Sequence, residues 1–166
     1  MVDPLDEFSR RIKKISGKRP KTDSDLEEMA HLEFLGGLYT ENGKIIIPRT
    51  VFKATMRDAA KKFKRGKDVT KGVRIQNNFI LDYPGPDDPE ELWKDKKYQL
   101  RVPVNVQRNK IMRTRPMFPE WEADIEIYYD ESIFNEEEVV QIIDEAGDRA
   151  FLMEWFGEYG AFVREK

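Results

Sequence analysis

Three observations predict an α+β fold for this 166-residue chain. Apolar residues recur at helical spacing in well-separated stretches, most of them opened by a capping residue. Between these stretches, apolar and polar residues alternate at the period of a strand. With one hairpin set aside, the order is strand, helix, strand, and then strand, helix, strand, which favours helices on one face of an antiparallel sheet.

At the start of the chain Leu5, Phe8, Ile12 and Ile15 make a short amphipathic stretch, followed by "SGKRPKT". A mobile or peripheral helix with a linker is expected here. "TDSDLEEMAHLEFLGG" is the next helix: Asp23 or Thr22 caps it, acids fill its first turn, and Gly36-Gly37 ends it. An N-terminal helical extension is therefore expected over 1–43, ahead of an α+β domain over 44–166. "GKIIIP" is a short buried strand ending at Pro48. "RTVFKATMRDAAKKFKRGK" is the clearest helix, with Thr50 as candidate N-cap and Gly66 as stop. Phe52, Met56, Ala59, Ala60 and Phe63 share its apolar face.

"VRIQNNFIL" alternates Val73, Ile75, Asn77, Phe79 and Leu81, a strand with one polar interruption. "YPGPDDPEELW" is a turn into a short helix, with Asp88 as cap, Pro89 in the first position and Glu91 completing a capping box. Val102, Val104 and Val106 alternate in a strand whose Pro103 marks an edge or a bulge. "QRNK" turns the chain into "IMRTR", completing the inserted hairpin. In "WEADIEIYY", Trp121, Ala123, Ile125, Ile127 and Tyr129 face inward. "NEEEVVQIIDEAG" is a helix capped by Asn135, with Glu138 in the box position and Gly147 as stop, and "YGAFVREK" is the last strand. The expected whole is a ferredoxin-like βαββαβ sandwich with an inserted hairpin and an N-terminal helical extension.

Composition narrows the function classes. No run of apolar residues is long enough to cross a membrane. The opening "MVDPLDEFSRRIKK" lacks the apolar centre of a signal peptide, so a cytoplasmic protein is expected. Without cysteine there is neither a disulfide nor a thiolate metal site, and with His31 as sole histidine no imidazole cluster can hold zinc. Net charge is −3, yet its distribution is uneven: +7 over 1–75, +2 over 76–117 and −12 over 118–166. Either folding intermixes the signs or the molecule has one anion-facing and one acidic surface.

Two basic features carry the functional expectation. Lys53, Arg57, Lys61 and Lys64 recur at spacings of four, four and three on one helix face. The lysines crowding that helix's last turn also suit its dipole, but Lys53 lies at the other end and does not. In the hairpin, Arg108, Lys110, Arg113 and Arg115 lie in a stretch without an acid. Arg113 and Arg115 share one strand face about 6.5 Å apart, close to the phosphate spacing of an extended single strand, and their forks suit phosphate oxygens. Equally, edge cations protect a hairpin from mispairing. Phe118 and Trp121 are stacking or core residues, and Trp155 and Phe156 are core or oligomer contacts. "DDPEE" and "NEEEVV" are explained by capping as well as by Mg²⁺, and no phosphate loop is present.

At "IIIPRTVFKATMRDAAKK" the chain resembles the RAMP superfamily of CRISPR effector proteins, in which a strand ending in Ile-Pro leads into a helix bearing an arginine. Here Pro48 is followed nine residues on by Arg57, and Arg49 replaces the usual glycine. "EWFGEYGAFV" is similar to that superfamily's glycine-rich loop in reduced form, keeping Gly157 and Gly160. The resemblance implies a ferredoxin-like fold and RNA binding. A wider likeness, through "KTDSDLEEMAHLEFLGGLY", "YPGPDDPEELW", "RTRPMFPEW" and "YGAF", looks like a family of small phage- and prophage-encoded proteins. It implies expression in a bacterial or archaeal host and nothing about catalysis.

These readings point first to a non-enzymatic module for single-stranded DNA or RNA, gripping phosphates through Lys53, Arg57, Lys61, Lys64, Arg108, Lys110, Arg113 and Arg115, without cofactor, metal or catalytic residue. A second reading is a phage assembly protein, the basic half of one copy meeting the acidic end of the next in head-to-tail homo-oligomers. A third is a metal-independent ribonuclease with His31 as general base.

Overall fold

The computed structural model describes residues 6–106, 108–154 and 159–165, a mixed α+β chain with small antiparallel sheets. In chain order the elements are α1 (Glu7–Ser16), α2 (Asp23–Leu35), β1 (Thr40–Glu41), β2 (Lys44–Ile47), α3 (Arg49–Ala60), α4 (Gly66–Gly72), β3 (Val73–Arg74), β4 (Phe79–Ile80), α5 (Pro89–Lys94), β5 (Gln99–Val106), β6 (Asn109–Pro116), β7 (Tyr128–Tyr129) and α6 (Glu136–Glu145). Leu5, Trp155, Phe156 and Gly157, which entered the sequence reading, lie outside the described residues. The chain divides into two compact units, the first Met1–Ile45 with Leu81–Glu122, the second Ile46–Ile80 with Ala123–Lys166.

In the first unit, residues 1–43, read above as an extension, fall together with the hairpin. α1 packs on α2, with Phe8 close against the glycine that caps α2: a Cβ built on Gly36 would lie 3.3 Å from Phe8 Cβ. Ile15 is buried at the same helix. Arg11 of α1 pairs with Glu28 of α2 at 3.2 Å, and Lys18, just after α1, pairs with Asp25 at 2.5 Å. Thr22, one of the two expected caps, accepts from the Asp25 N–H while Asp25 accepts in return from Thr22. Phe34, Leu92 and Tyr98 form the core, with Leu35, Leu38, Tyr83, Trp93 and Phe118 packed around them. Phe118 is thus held against Tyr83, ring centres 4.8 Å apart, in the core role. β5 and β6 pair in register from Gln99–Pro116 to Val106–Asn109, and Arg108 takes the left-handed backbone conformation (φ 71°) at the turn. Pro103 sits opposite Met112 in this two-stranded ribbon, where no third strand needs its missing N–H.

The second unit is built on α3, which packs against α4 and α6. Phe52, Met56, Ala59 and Ala60 are buried as expected, but Phe63 is exposed. Thr50 is not the cap of α3. Pro48 holds that position without a side-chain bond, and the Arg49 N–H is met instead by Asn78 Oδ1 at 3.1 Å. Arg49 also donates to the Gln76 carbonyl. These bonds explain why "VRIQNNFIL" is not one strand. Val73, Ile75, Phe79 and Leu81 are buried as the alternation requires, but Gln76–Asn78 turns aside, leaving β3 to pair with β7 and β4 with β2. Gly66 does not stop α3: Lys64, left-handed at φ 60°, does so after a 3₁₀ turn, and Gly66 opens α4. Gly147 likewise lies inside a π turn, Ala146–Ala150, that prolongs α6. Any side chain there would run into the Phe162 carbonyl, 2.0 Å from a built Cβ. Asn135 and Glu138 form the expected capping box. Of the expected "WEADIEIYY" strand only Tyr128–Tyr129 pairs regularly, and residues 159–165 carry no strand.

Candidate functional site

In the first unit, the β6 face that carries Arg113 and Arg115 is turned towards α1 and the end of α2 rather than to open solvent. Glu33 sets this geometry. Its side chain is 4% exposed, one oxygen accepts from the Arg113 guanidinium, and the other accepts the Thr114 N–H at 3.0 Å. A buried carboxylate meeting both a guanidinium and a backbone N–H fixes β6 against α2. Gly37 allows the close approach, since a Cβ there would lie 2.8 Å from Pro116 Cδ.

Between these elements lies a groove of about 990 Å³. Arg10, Lys13 and Lys14 line it from α1, and Arg113 and Arg115 from β6; Asp6 and Glu33 are its acids. Both acids are engaged. Glu33 is held as described, and Asp6 caps α1, where the Ser9 side chain and N–H hold its carboxyl below the usual range. Among the described residues, Lys13, Lys14 and Arg115 have no carboxylate partner. Five cations against two acids leave the lining net positive even with Glu33 matched to Arg113, and a positive concave surface focuses field lines towards an incoming anion. Arg108 and Lys110 stand further along the hairpin, exposed and, among the described residues, without an acid partner.

The helix stripe has a different setting, in the second unit. Asp58 pairs with both Arg57 at 3.2 Å and Lys61 at 2.5 Å. Lys53 Nζ donates to the Thr70 carbonyl at 3.1 Å. Only Lys64 of the four remains without a partner among the described residues, and it serves the left-handed stop. Neighbouring cations are answered by the acidic end of the chain: Lys62 by Glu145 at 2.5 Å and Arg65 by Glu138 at 2.6 Å. Arg65 also donates to Asp68 and to the Ile133 carbonyl and lies 4.6 Å from the Phe134 ring centre. The expected cations therefore fall into two sets, one in each unit. A smaller pocket of about 280 Å³ in the second unit is lined by Lys71, Arg74, Tyr128, Tyr129 and Asp130.

His31 Nε2 lies 2.9 Å from Glu90 Oε2, with its ring 5.0 Å from that of Trp93. These partners join α2 to α5. Asp88 caps α5 through the Glu90 and Glu91 N–H groups, while Glu91 pairs with Lys94 rather than closing the box. Among the described residues no cluster of three acids and histidines is placed to hold a metal ion, and no helix is long and apolar enough to cross a membrane.

Sequence reasoning missed Arg10, Lys13 and Lys14, although "RRIKK" carried the signal: cations at spacings of three and four on one helix. It missed Glu33 for want of any signal, since its partners lie some eighty residues away in the chain. No family model, curated protein or solved structure matches this chain.

Proposed function

We propose that this chain binds single-stranded nucleic acid without catalysing a reaction, and that the groove of the first unit is where phosphates are held. The observation that carries this reading is the groove's charge: Arg10, Lys13, Lys14, Arg113 and Arg115 line one concavity against only Asp6 and Glu33, and Glu33 is matched by Arg113. Guanidinium and ammonium groups so placed match phosphate oxygens. Arg108 and Lys110 extend the track along the hairpin. The stripe Lys53, Arg57, Lys61 and Lys64 is a secondary contact at most, because Asp58 already answers two of its members.

On the same reading the second unit is the ferredoxin-like, RAMP-like part of the molecule. Support comes from the strand–helix–strand order around α3 and from the packing of α3 on α6. A phage- or mobile-element protein working beside nucleic acid in a host cytoplasm fits that combination.

Polarisation of labelled oligothymidylate and oligouridylate, titrated with protein at several salt concentrations, tests the proposal. Binding should weaken as salt rises, with a log–log slope of about −0.7 for each phosphate neutralised. Replacing Lys13, Lys14 and Arg115 by glutamine should flatten that slope by about 2. Salt-independent binding, or an unchanged slope in the triple variant, contradicts the groove as the phosphate site.

A further inference from the structure

The groove offers more than positive charge. Its α1 wall is apolar at Phe8 and Ile12, both half-buried, and its floor is the glycine pair ending α2. Phe8 packs on Gly36 and Pro116 on Gly37, where built Cβ atoms would approach them to 3.3 and 2.8 Å. A phosphate gains from donors and from charge, but nothing from an apolar wall. A nucleobase gains from the wall directly, because its flat face stacks on aromatic and aliphatic groups. A half-open groove of about 990 Å³ with mixed walls has room for a base beside the cations, whereas phosphate alone is served by a shallow basic surface.

Resting on the phosphate-binding reading above, we infer that the groove takes a strand with its unpaired bases turned inward onto Phe8 and Ile12 and its phosphates outward on Lys13, Lys14 and Arg115. The bases of a duplex are already stacked and paired, so a duplex reaches only the cations. The groove thus discriminates by base availability, and Phe8 is the residue that reads it.

The test uses the full chain and three probes at one salt concentration: oligothymidylate, a strand of the same length built from abasic sugars, and a blunt duplex. Oligothymidylate should bind at least about tenfold more tightly than the abasic strand, the equivalent of one good stacking contact. Phe8→Leu, which keeps apolar packing against Gly36, should bring oligothymidylate down towards the abasic affinity and leave the abasic strand unchanged. Equal affinity for both strands, lost together when Lys13, Lys14 and Arg115 are replaced, overturns base-inward binding while the phosphate reading stands. Binding to neither strand overturns both. Tighter binding to phosphatidylglycerol vesicles than to oligothymidylate would assign the apolar wall to acyl chains and overturn the inference.

Discussion

The two units handle positive charge in opposite ways. Each is close to neutral by count, 16 Lys/Arg against 17 Asp/Glu in the first and 13 against 15 in the second. The steep run from basic to acidic along the chain disappears because each unit combines an early segment with a later one. In the second unit the late acids reach the early cations, Glu138 at Arg65 and Glu145 at Lys62. In the first, cations from α1 and β6 converge on one groove with only Asp6 and Glu33 among its lining acids, while Asp88 caps α5 and Asp25 pairs with Lys18. The difference shows that net charge along the chain does not locate concentrated positive charge in the fold. On the proposed reading, the anion site lies where local structure engages the acids with N–H groups and with other cations.

Glu33 gives the sharpest way to break the first unit's arrangement. Glu33→Ala leaves the Arg113 guanidinium and the Thr114 N–H without their carboxylate, and the cost should be about 3 kcal/mol. Urea unfolding measures it, and a loss below about 1 kcal/mol would mean β6 is not fastened to α2 by this residue. Next in size is the contrast between the two cation sets. Removing the charges of Lys13, Lys14 and Arg115 should weaken oligothymidylate binding about 100-fold at low salt, whereas Lys53→Gln with Lys64→Gln should cost less than about 3-fold. The reverse ranking would move the anion site to the second unit. Smaller again is the effect of the two capping boxes, one in each unit. Thr22→Ala and Asn135→Ala should each lower stability by about 1 kcal/mol, read from urea midpoints. The groove variants should lose less than the cap variants, since among the described residues Arg115 makes one long side-chain bond, 3.5 Å to the Thr114 carbonyl, and Lys13 and Lys14 have no carboxylate partner.

How much of this was legible beforehand depended on the range of the interaction. Elements governed by near neighbours were readable: the Asn135–Glu138 box, the Asp88 and Thr22 caps, and the hairpin turn at Arg108 all follow from residues within a few positions of one another. Elements governed by distant partners were not. Thr50 has the chemistry of a cap, yet Asn78 from across the unit takes the first N–H of α3 and breaks the following strand as it does so. Gly66 has the chemistry of a stop, but Lys64, two residues earlier, adopts the left-handed turn. The site shows the same division. The hairpin arginines were visible as a basic run, but their conversion from an exposed grip into a groove wall required Glu33 and the glycine pair on α2. Among the stripe cations, Asp58 was visible beside Arg57 and Lys61. That it would hold both depended on side-chain conformation, which spacing does not determine.

The smallest expected effect separates the units by acidity. Lys18 first, and then the Thr22 N–H and hydroxyl, hold the Asp25 carboxyl at about 2, below the ordinary 3.8. In the second unit the Asn135 N–H first, and then Arg65, lower Glu138 from the ordinary 4.5. Both carboxylates titrate lower folded than unfolded, so both stabilise fully above their unfolded values, and that contribution disappears as pH falls through the folded ones. The windows differ because the starting points differ. Glu138 begins to lose its contribution below about pH 4.5, and Asp25 only below about 3.8, with the last of it gone under about 2. On acidification from pH 6 the stability owed to Glu138 should therefore begin to fall before the stability owed to Asp25. Urea midpoints followed from pH 6 to pH 2 in the parent, Glu138→Gln and Asp25→Asn chains measure this. Glu138→Gln should remove the upper part of the pH dependence and Asp25→Asn the lower. An identical profile in all three would show that neither carboxylate is held more firmly in the fold than in the unfolded chain.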